Sequence, residues 1–334
     1  MKVTAQAACR VDMAGGTVDI WPLYLYHPGA VTVNFAVTRF TSCTITTRDD
    51  SRIVIRSKDL GKKDEFASLE ALRTARGYRL PLVAWVVRFF APPMGLEIET
   101  DSESPAGAGI SGSSALIITL ASALNKLLGR RYGIEKIREI AQNVESQIIR
   151  VPTGCQDYYP AMYGGVGVIE LREDGVHRRP IDVDLEDFNQ RIVLAYTGEP
   201  RNSGINNWEV FKSYIDGDRK VPRNFDGIVG IAVAMRGAVE KGDWTEAGRL
   251  LREEWAHRKR NAPGITTPLI DRLVTSTRRA GALGAKVCGA GGGGCVFLLV
   301  DRGAKERVSS IIERGGATVL PVQVAREGVR VRAS

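Results

Sequence analysis

The run Pro105-Ala-Gly-Ala-Gly-Ile-Ser-Gly-Ser-Ser-Ala115 constrains this chain more than any other segment, because it joins an alternating strand to a long apolar helix. Leu96-Glu-Ile-Glu-Thr100 keeps its apolar residues on one face, and residues 113–128 contain neither Gly nor Pro. The pattern predicts strand, loop and helix in that order. A β-carbon at Gly107, Gly109 or Gly112 would hold the main chain away from an anion and forbid positive φ. The loop also ends at the positive pole of the helix, where backbone N–H groups point outward. Pro105, Gly107, Ala108, Gly109, Ser111, Gly112, Ser113 and Ser114 therefore form a candidate phosphate cradle, whose hydroxyls suit phosphate or magnesium. A serine-capped helix behind a flexible turn is the plain alternative.

The same glycines spell G-x-G-x-x-G, the dinucleotide fingerprint. That fold needs the strand to run straight into the first Gly and an acidic residue about 20 positions on, at the end of a second strand. Here Asp101-Ser-Glu-Ser-Pro-Ala106 intervenes and the helix runs through the place of that strand, so a nicotinamide enzyme remains only a rival reading. A Walker loop is excluded for want of a Lys after the glycines.

Three further segments add candidates. Lys286-Val-Cys-Gly-Ala-Gly-Gly-Gly-Gly-Cys-Val-Phe-Leu-Leu-Val300 breaks from a glycine cluster, including Gly291 and Gly292, into a buried strand. Such a run implies close backbone approach, or a bulge where two elements touch. Ala8-Cys-Arg-Val-Asp-Met-Ala-Gly-Gly-Thr-Val-Asp-Ile-Trp21 presents Arg10 and Asp19 around a glycine turn, which a structural ion pair and a helix cap would also explain. Pro152-Thr-Gly-Cys-Gln-Asp-Tyr-Tyr-Pro-Ala-Met-Tyr-Gly-Gly165 puts Asp157 in a polar turn before a strand at 166–171. The helix from Ile134 aligns Ile137, Ala141, Val144 and Ile148, with Glu145 beside that stripe.

At 334 residues, with 44% hydrophobic and 25% charged residues, the chain is long enough for two lobes sharing a cleft and has an ordinary globular composition. It shows no apolar span of membrane length and no leader-like start, which predicts a cytoplasmic protein with no membrane partner. Five cysteines without a C-x-x-C pair argue for reduced thiols, and His27, His177 and His257 lack ligand spacing. The net charge of +8 is scattered, without interleaved aromatics, which argues against nucleic acid. Arg130-Arg131, Arg178-Arg179, Arg258-Lys-Arg260 and Arg278-Arg279 read as solvated helix ends and faces, and the basic balance favours small anionic substrates. Residues 1–100 read as strands with one helix at 80–90. Strands at 166–171 and 191–196 are expected to close the first lobe, followed by helices near 205–215, 225–241, 244–259 and 267–280 and strands around 286 and 296.

In this order the four motif segments resemble the GHMP kinase superfamily. Pro105 to Ala115 is similar to its second motif, P-x-x-x-G-L-G-S-S, with Ile110 for Leu and the Gly-Ser pair inverted at Ser111-Gly112; Ser113 falls on the second serine. Lys286 to Val300 is similar to the third motif. Arg10 opening and Asp19 closing the first segment resemble the sugar kinases, with Asp12 in place of a Ser or Asn and Thr17 in place of a Gly. Gln156-Asp157 before Gly164-Gly165, and Thr197-Gly198 with Arg201 and Ser203, resemble the heptose 7-phosphate kinase and fucokinase-like branch.

The resemblance implies a two-lobed α+β fold, with a ribosomal-protein-S5-domain-2-like N-terminal lobe over 1–195 and a ferredoxin-like C-terminal lobe over 196–334. It implies ATP and Mg2+ as cofactors and a sugar or sugar phosphate as acceptor, and leaves a homo-oligomer open. The implied roles are Asp157 and Arg10 in catalysis, Ser113 and Glu145 at the metal, and Gly16, Thr17, Asp19, Gln156, Arg201, Gly291 and Gly292 at the acceptor. A mevalonate- or homoserine-type kinase, and a catalytically silent sugar and nucleotide sensor, stand as alternatives.

Overall fold

The computed structural model describes residues 1–130, 132–200, 203–261 and 264–334. Two strands organise the first lobe. β1 (Lys2–Ala14) and β2 (Val31–Arg48) pair antiparallel from Lys2 opposite Thr46 to Ala14 opposite Val33. Alternating apolar residues, rich in β-branched types, make β2 long enough to serve two neighbours on its other side. Its second half pairs with β5 (Gly95–Ser102), which has β3 (Ile53–Ser57) parallel beside it and β4 (Lys62–Phe66) at the edge. Its first half pairs with β6 (Val166–Arg172), which carries β7 (Gly175–Ile181).

The helices α1 (Leu69–Thr74), α2 (Pro81–Phe90), α3 (Gly112–Leu127) and α4 (Ile134–Ile149) belong to this lobe, followed by the single-turn α5 (Tyr159–Tyr163). Of these, α3 packs directly on β1 and β2, and α2 and α4 pack on α3. It is apolar nearly all round and buried nearly all round, as its sequence requires.

The second sheet is antiparallel in the order β11–β8–β10–β9, built from β8 (Ile192–Tyr196), β9 (Ala282–Val287), β10 (Cys295–Val300) and β11 (Thr318–Leu320). The remaining helices are α6 (Leu185–Arg191), α7 (Ser203–Ile215), α8 (Lys220–Glu240), α9 (Trp244–Arg258), α10 (Pro268–Arg278) and α11 (Lys305–Arg314). Three of them, α9, α10 and α11, pack on this sheet, and α8 bridges α9 to β1 and β2.

Residues 191–196, expected to close the first lobe, instead pair with β10 and β11 in the second sheet. The run Ile-Val-Leu-Ala is apolar on both faces, so its composition says that the strand is buried but not in which sheet. The chain then returns: β12 (Arg330–Ala333) pairs with β1, so the C-terminal end is stitched into the N-terminal sheet. Phe35 on β2 meets Phe188 and Phe297 edge-on, with ring centres 5.1 and 5.5 Å away, which joins the cores of the two sheets. No described helix is long and apolar enough to cross a membrane.

Candidate active site

The loop after β5 reaches α3 with Gly107, Gly109 and Ser111 all at positive φ, and Ser111 sits at the N-cap without bonding the helix through its hydroxyl. A non-glycine residue held in the left-handed region costs about 1–3 kcal/mol and persists only where its surroundings impose it. Here β1 imposes it: Arg10 N–H donates to the Ile110 carbonyl at 3.0 Å, and Arg10 Nη1 donates to the Gly109 carbonyl at 2.8 Å. The second glycine cluster supports the loop from the other side. Cys295 N–H donates to the Ala108 carbonyl at 2.7 Å, and a Cβ on Gly294 would lie 2.6 Å from that same oxygen. The Ser111 hydroxyl is buried without a hydrogen-bond partner, and the first amides of α3 have no side-chain cap. A buried hydroxyl beside uncapped helix amides is what a phosphate oxygen would complete.

Glu145 reaches the same place from α4. Ser113 Oγ donates to its Oε1 at 2.6 Å, while Ser114 Oγ and the Tyr158 hydroxyl donate to Oε2 at 3.0 and 2.6 Å. Burial raises the Glu145 pKa, and these hydroxyls pull it back. The two serines divide their work: Ser113 lines the cavity, and Ser114 turns inward as a support for Glu145. One carboxylate and one hydroxyl beside a phosphate cradle fit magnesium, which needs few protein ligands when phosphate oxygens supply the rest. Among the described residues there is no cluster of three or more His, Cys, Asp or Glu, which a tighter all-protein metal cage would require.

The cavity, about 300 Å³, is lined by Arg10, Gly16, Thr17, Asp19, Ser111, Ser113, Glu145, Gln156 and Asp157, among others. Arg10 is buried and donates through Nε and Nη2 to Asp157 Oδ1, at 3.0 and 2.5 Å, so neither of these bonds engages Oδ2. Burial works against the Arg10 charge, but Asp157 and Asp12 overcome it and raise the pKa. Asp19 accepts from the Thr17 amide at 3.1 Å and the Gln156 amide at 2.9 Å, with Thr17 itself at φ +78°. Burial, and then the nearby Asp157, push the Asp19 carboxyl up to about 6.

Two of the acceptor residues do not fall where the motif suggested. Gly291 and Gly292 are turned to Ile265, whose carbonyl accepts from the Gly292 amide at 2.8 Å and would lie 2.6 Å from a Cβ on Gly291. Gly289 and Ala290 line the cavity instead. A run of glycines marks a close approach without saying which members face the ligand and which face the neighbouring chain. Arg201 lies outside the described residues.

Sequence reasoning missed a buried ionic cluster joining the two lobes at this cavity. Lys286 Nζ on β9 donates to Asp12 Oδ2 on β1 at 2.5 Å and to Glu254 Oε1 on α9 at 3.2 Å. Arg258, read as part of a solvated helix end, is only 3% exposed. Burial would raise the Asp12 pKa, but Lys286, Arg10 and Arg258 hold it well below the usual carboxylate range. Close packing places the cluster: a Cβ on Gly284 of β9 would lie 2.4 Å from the Gly248 carbonyl of α9. The available signals were a Lys inside an otherwise apolar strand and a Glu254–Arg258 pair one helical turn apart. Lys286→Met is expected to destabilise the chain by about 3–5 kcal/mol, since two buried carboxylates lose their shared cation. Chemical denaturation measures this, and a change below about 1 kcal/mol would contradict it.

Comparison with known proteins identifies the family. Residues 79–165 match the family model described as the GHMP kinases N terminal domain, and residues 235–318 match the GHMP kinases C terminal model. A D-glycero-alpha-D-manno-heptose 7-phosphate kinase of Campylobacter jejuni is 25% identical over 337 residues, covering 98% of each chain. A mevalonate kinase of Pyrococcus furiosus is 29% identical over 248 residues, covering 71% of this chain and 69% of its own. Among solved structures, a D-glycero-D-manno-heptose 1-phosphate kinase from Bacteroides thetaiotaomicron has the same fold, with a TM-score of 0.79 at 23% identity over 99% of both chains. The two family models together take in just over half the chain, one in each lobe, and the chain belongs to the GHMP kinase superfamily of ATP-dependent phosphotransferases.

Proposed function

We propose that this kinase moves the γ-phosphoryl group of ATP to the anomeric hydroxyl of a sugar or sugar phosphate resembling heptose 7-phosphate. The observation that carries this reading is the shared cavity wall: Asp157, held by Arg10, stands beside Asp19, and Ser113 and Glu145 border the same cavity. The full-length likeness to a heptose 7-phosphate kinase supports the acceptor class.

Phosphoryl transfer asks mainly for positioning and charge stabilisation. The loop from Gly107 to Ser114 holds the phosphates with main-chain amides, while Ser113 and Glu145 would hold magnesium, which would supply charge neutralisation when bound. Asp157 orients the acceptor hydroxyl and takes its proton, and Arg10 fixes that carboxylate in place. Asp19 accepts sugar hydroxyls alongside Gly16, Thr17 and Gln156.

A melting-temperature screen of sugars and sugar phosphates with a non-hydrolysable ATP analogue, followed by a kinase assay on the hits, tests this reading. Stabilisation by NAD rather than ATP, or binding of both ligands without turnover, would defeat it. Glu145→Gln is expected to raise the magnesium concentration needed for half-maximal rate by about 10-fold, since a neutral amide replaces the one carboxylate at the metal. An unchanged magnesium titration would remove Glu145 from that role.

A further inference from the structure

Arg258 closes α9 inside the cavity wall, yet the functional reading gives it nothing to do. Its Nη2 donates to the Gly289 carbonyl at 2.6 Å, which fixes the guanidinium plane. Its Nη1 lies 3.9 Å from both Asp12 Oδ2 and Glu254 Oε1, beyond hydrogen-bond reach. Those two carboxylates are taken by Lys286 instead. Among the described residues, Nη1 makes no hydrogen bond at all.

Gly16 explains where that donor points. A Cβ at this position would lie 2.6 Å from Arg258 Nη1 and 2.9 Å from Gln156 Nε2. The missing side chain thus leaves open a spot on which a guanidinium and a carboxamide converge. Gln156 is 3% exposed; its Nε2 is the donor at the gap, while its unpartnered Oε1 is an acceptor left for a substrate hydroxyl. Asp12 Oδ2 would be 3.0 Å from the same point, and its charge is balanced jointly by Lys286, which it shares with Glu254, and by Arg10 and Arg258. Two buried donors around a gap suit an anionic oxygen, and a guanidinium suits phosphate through its paired N–H groups. The spot lies on the Asp19 side of the cavity: the main-chain N–H of Gln156 donates to Asp19, leaving its side chain free, whereas the loop that cradles ATP is held by Arg10 and Gly294.

We infer that Arg258, reached past Gly16 and assisted by Gln156, binds the distal phosphate of a phosphorylated acceptor and so determines the preference for sugar phosphates over free sugars. This rests on the sugar-kinase reading above. The test compares the full-length protein with Arg258→Gln and Gly16→Ala, using calorimetric titration and initial rates on heptose, heptose 7-phosphate, glucose and glucose 6-phosphate. The wild type should prefer the phosphorylated member of a pair. Arg258→Gln should cut that preference by about 100-fold through KM, leaving KM for ATP unchanged. Gly16→Ala keeps every charge and should cut the preference by about 10-fold, which serves if the first variant does not fold. A rise in KM for ATP instead would make the bound anion a nucleotide phosphate and overturn the inference. Equal binding of free and phosphorylated sugars by the wild type would overturn it and leave the kinase reading standing. Failure of every sugar to bind or react would overturn both.

Discussion

Asp157→Asn lowers the turnover number by roughly 10²-fold to 10⁴-fold and leaves ATP affinity nearly unchanged, the range expected for a lost orienting or proton-accepting group. The geometry separates the two effects. Asp157 belongs to the short turn Gln156–Tyr158 and hydrogen-bonds Arg10 rather than either glycine cluster, and the asparagine keeps an acceptor for Arg10, so the candidate phosphate cradle survives the substitution. Asparagine can still accept one bond from Arg10 but cannot take a proton from an acceptor hydroxyl. Steady-state kinetics with a separate nucleotide-binding measurement checks both halves. Turnover within a few-fold of the wild type would remove Asp157 from catalysis.

Asp19→Ala abolishes phosphorylation of every sugar offered. The Asp19 carboxylate is buried and already organised by the Thr17 and Gln156 amides, so its remaining acceptor capacity is aimed rather than floppy. Removing it deletes bonds to the substrate and leaves two main-chain amides unsatisfied in the wall of the site. The same carboxyl sets a pH dependence with a definite sign. Burial and Asp157 push it up to about 6, so it is anionic above that pH and protonated below. The kcat/KM for the acceptor should therefore fall as pH drops through about 6, while nucleotide binding is less affected. A flat acceptor profile between pH 5 and 8 would contradict the assignment.

Local patterns made much of this legible. The helix α3 starts at Gly112, close to the expected position, because strand alternation, small loop residues and an unbroken apolar run all point the same way. The helices α9 and α10 lie close to the expected ranges, α8 begins at Lys220 rather than at 225, and Asp157 lies in the expected turn. What stayed hidden depends on pairings distant in sequence. Asp12 and Lys286 are 274 positions apart, and nothing local tells a buried Lys from a snorkelling one. Arg258 sits in a basic triplet whose other members, Lys259 and Arg260, are exposed, so composition averaged away the one buried cation. The sheet membership of β8 and the return of β12 to β1 are likewise matters of tertiary partner choice.

The acceptor class is the central claim, because Asp19 and Asp157 line a wall suited to a polyol. The direct measurement is phosphorus NMR of the products formed from ATP and magnesium with a panel of hexoses, heptoses, their phosphates, mevalonate and homoserine. The account predicts a new phosphate ester on the anomeric carbon of a sugar or sugar phosphate. Preferential phosphorylation of mevalonate or homoserine would contradict it, leaving the kinase fold and the phosphate cradle but not the sugar.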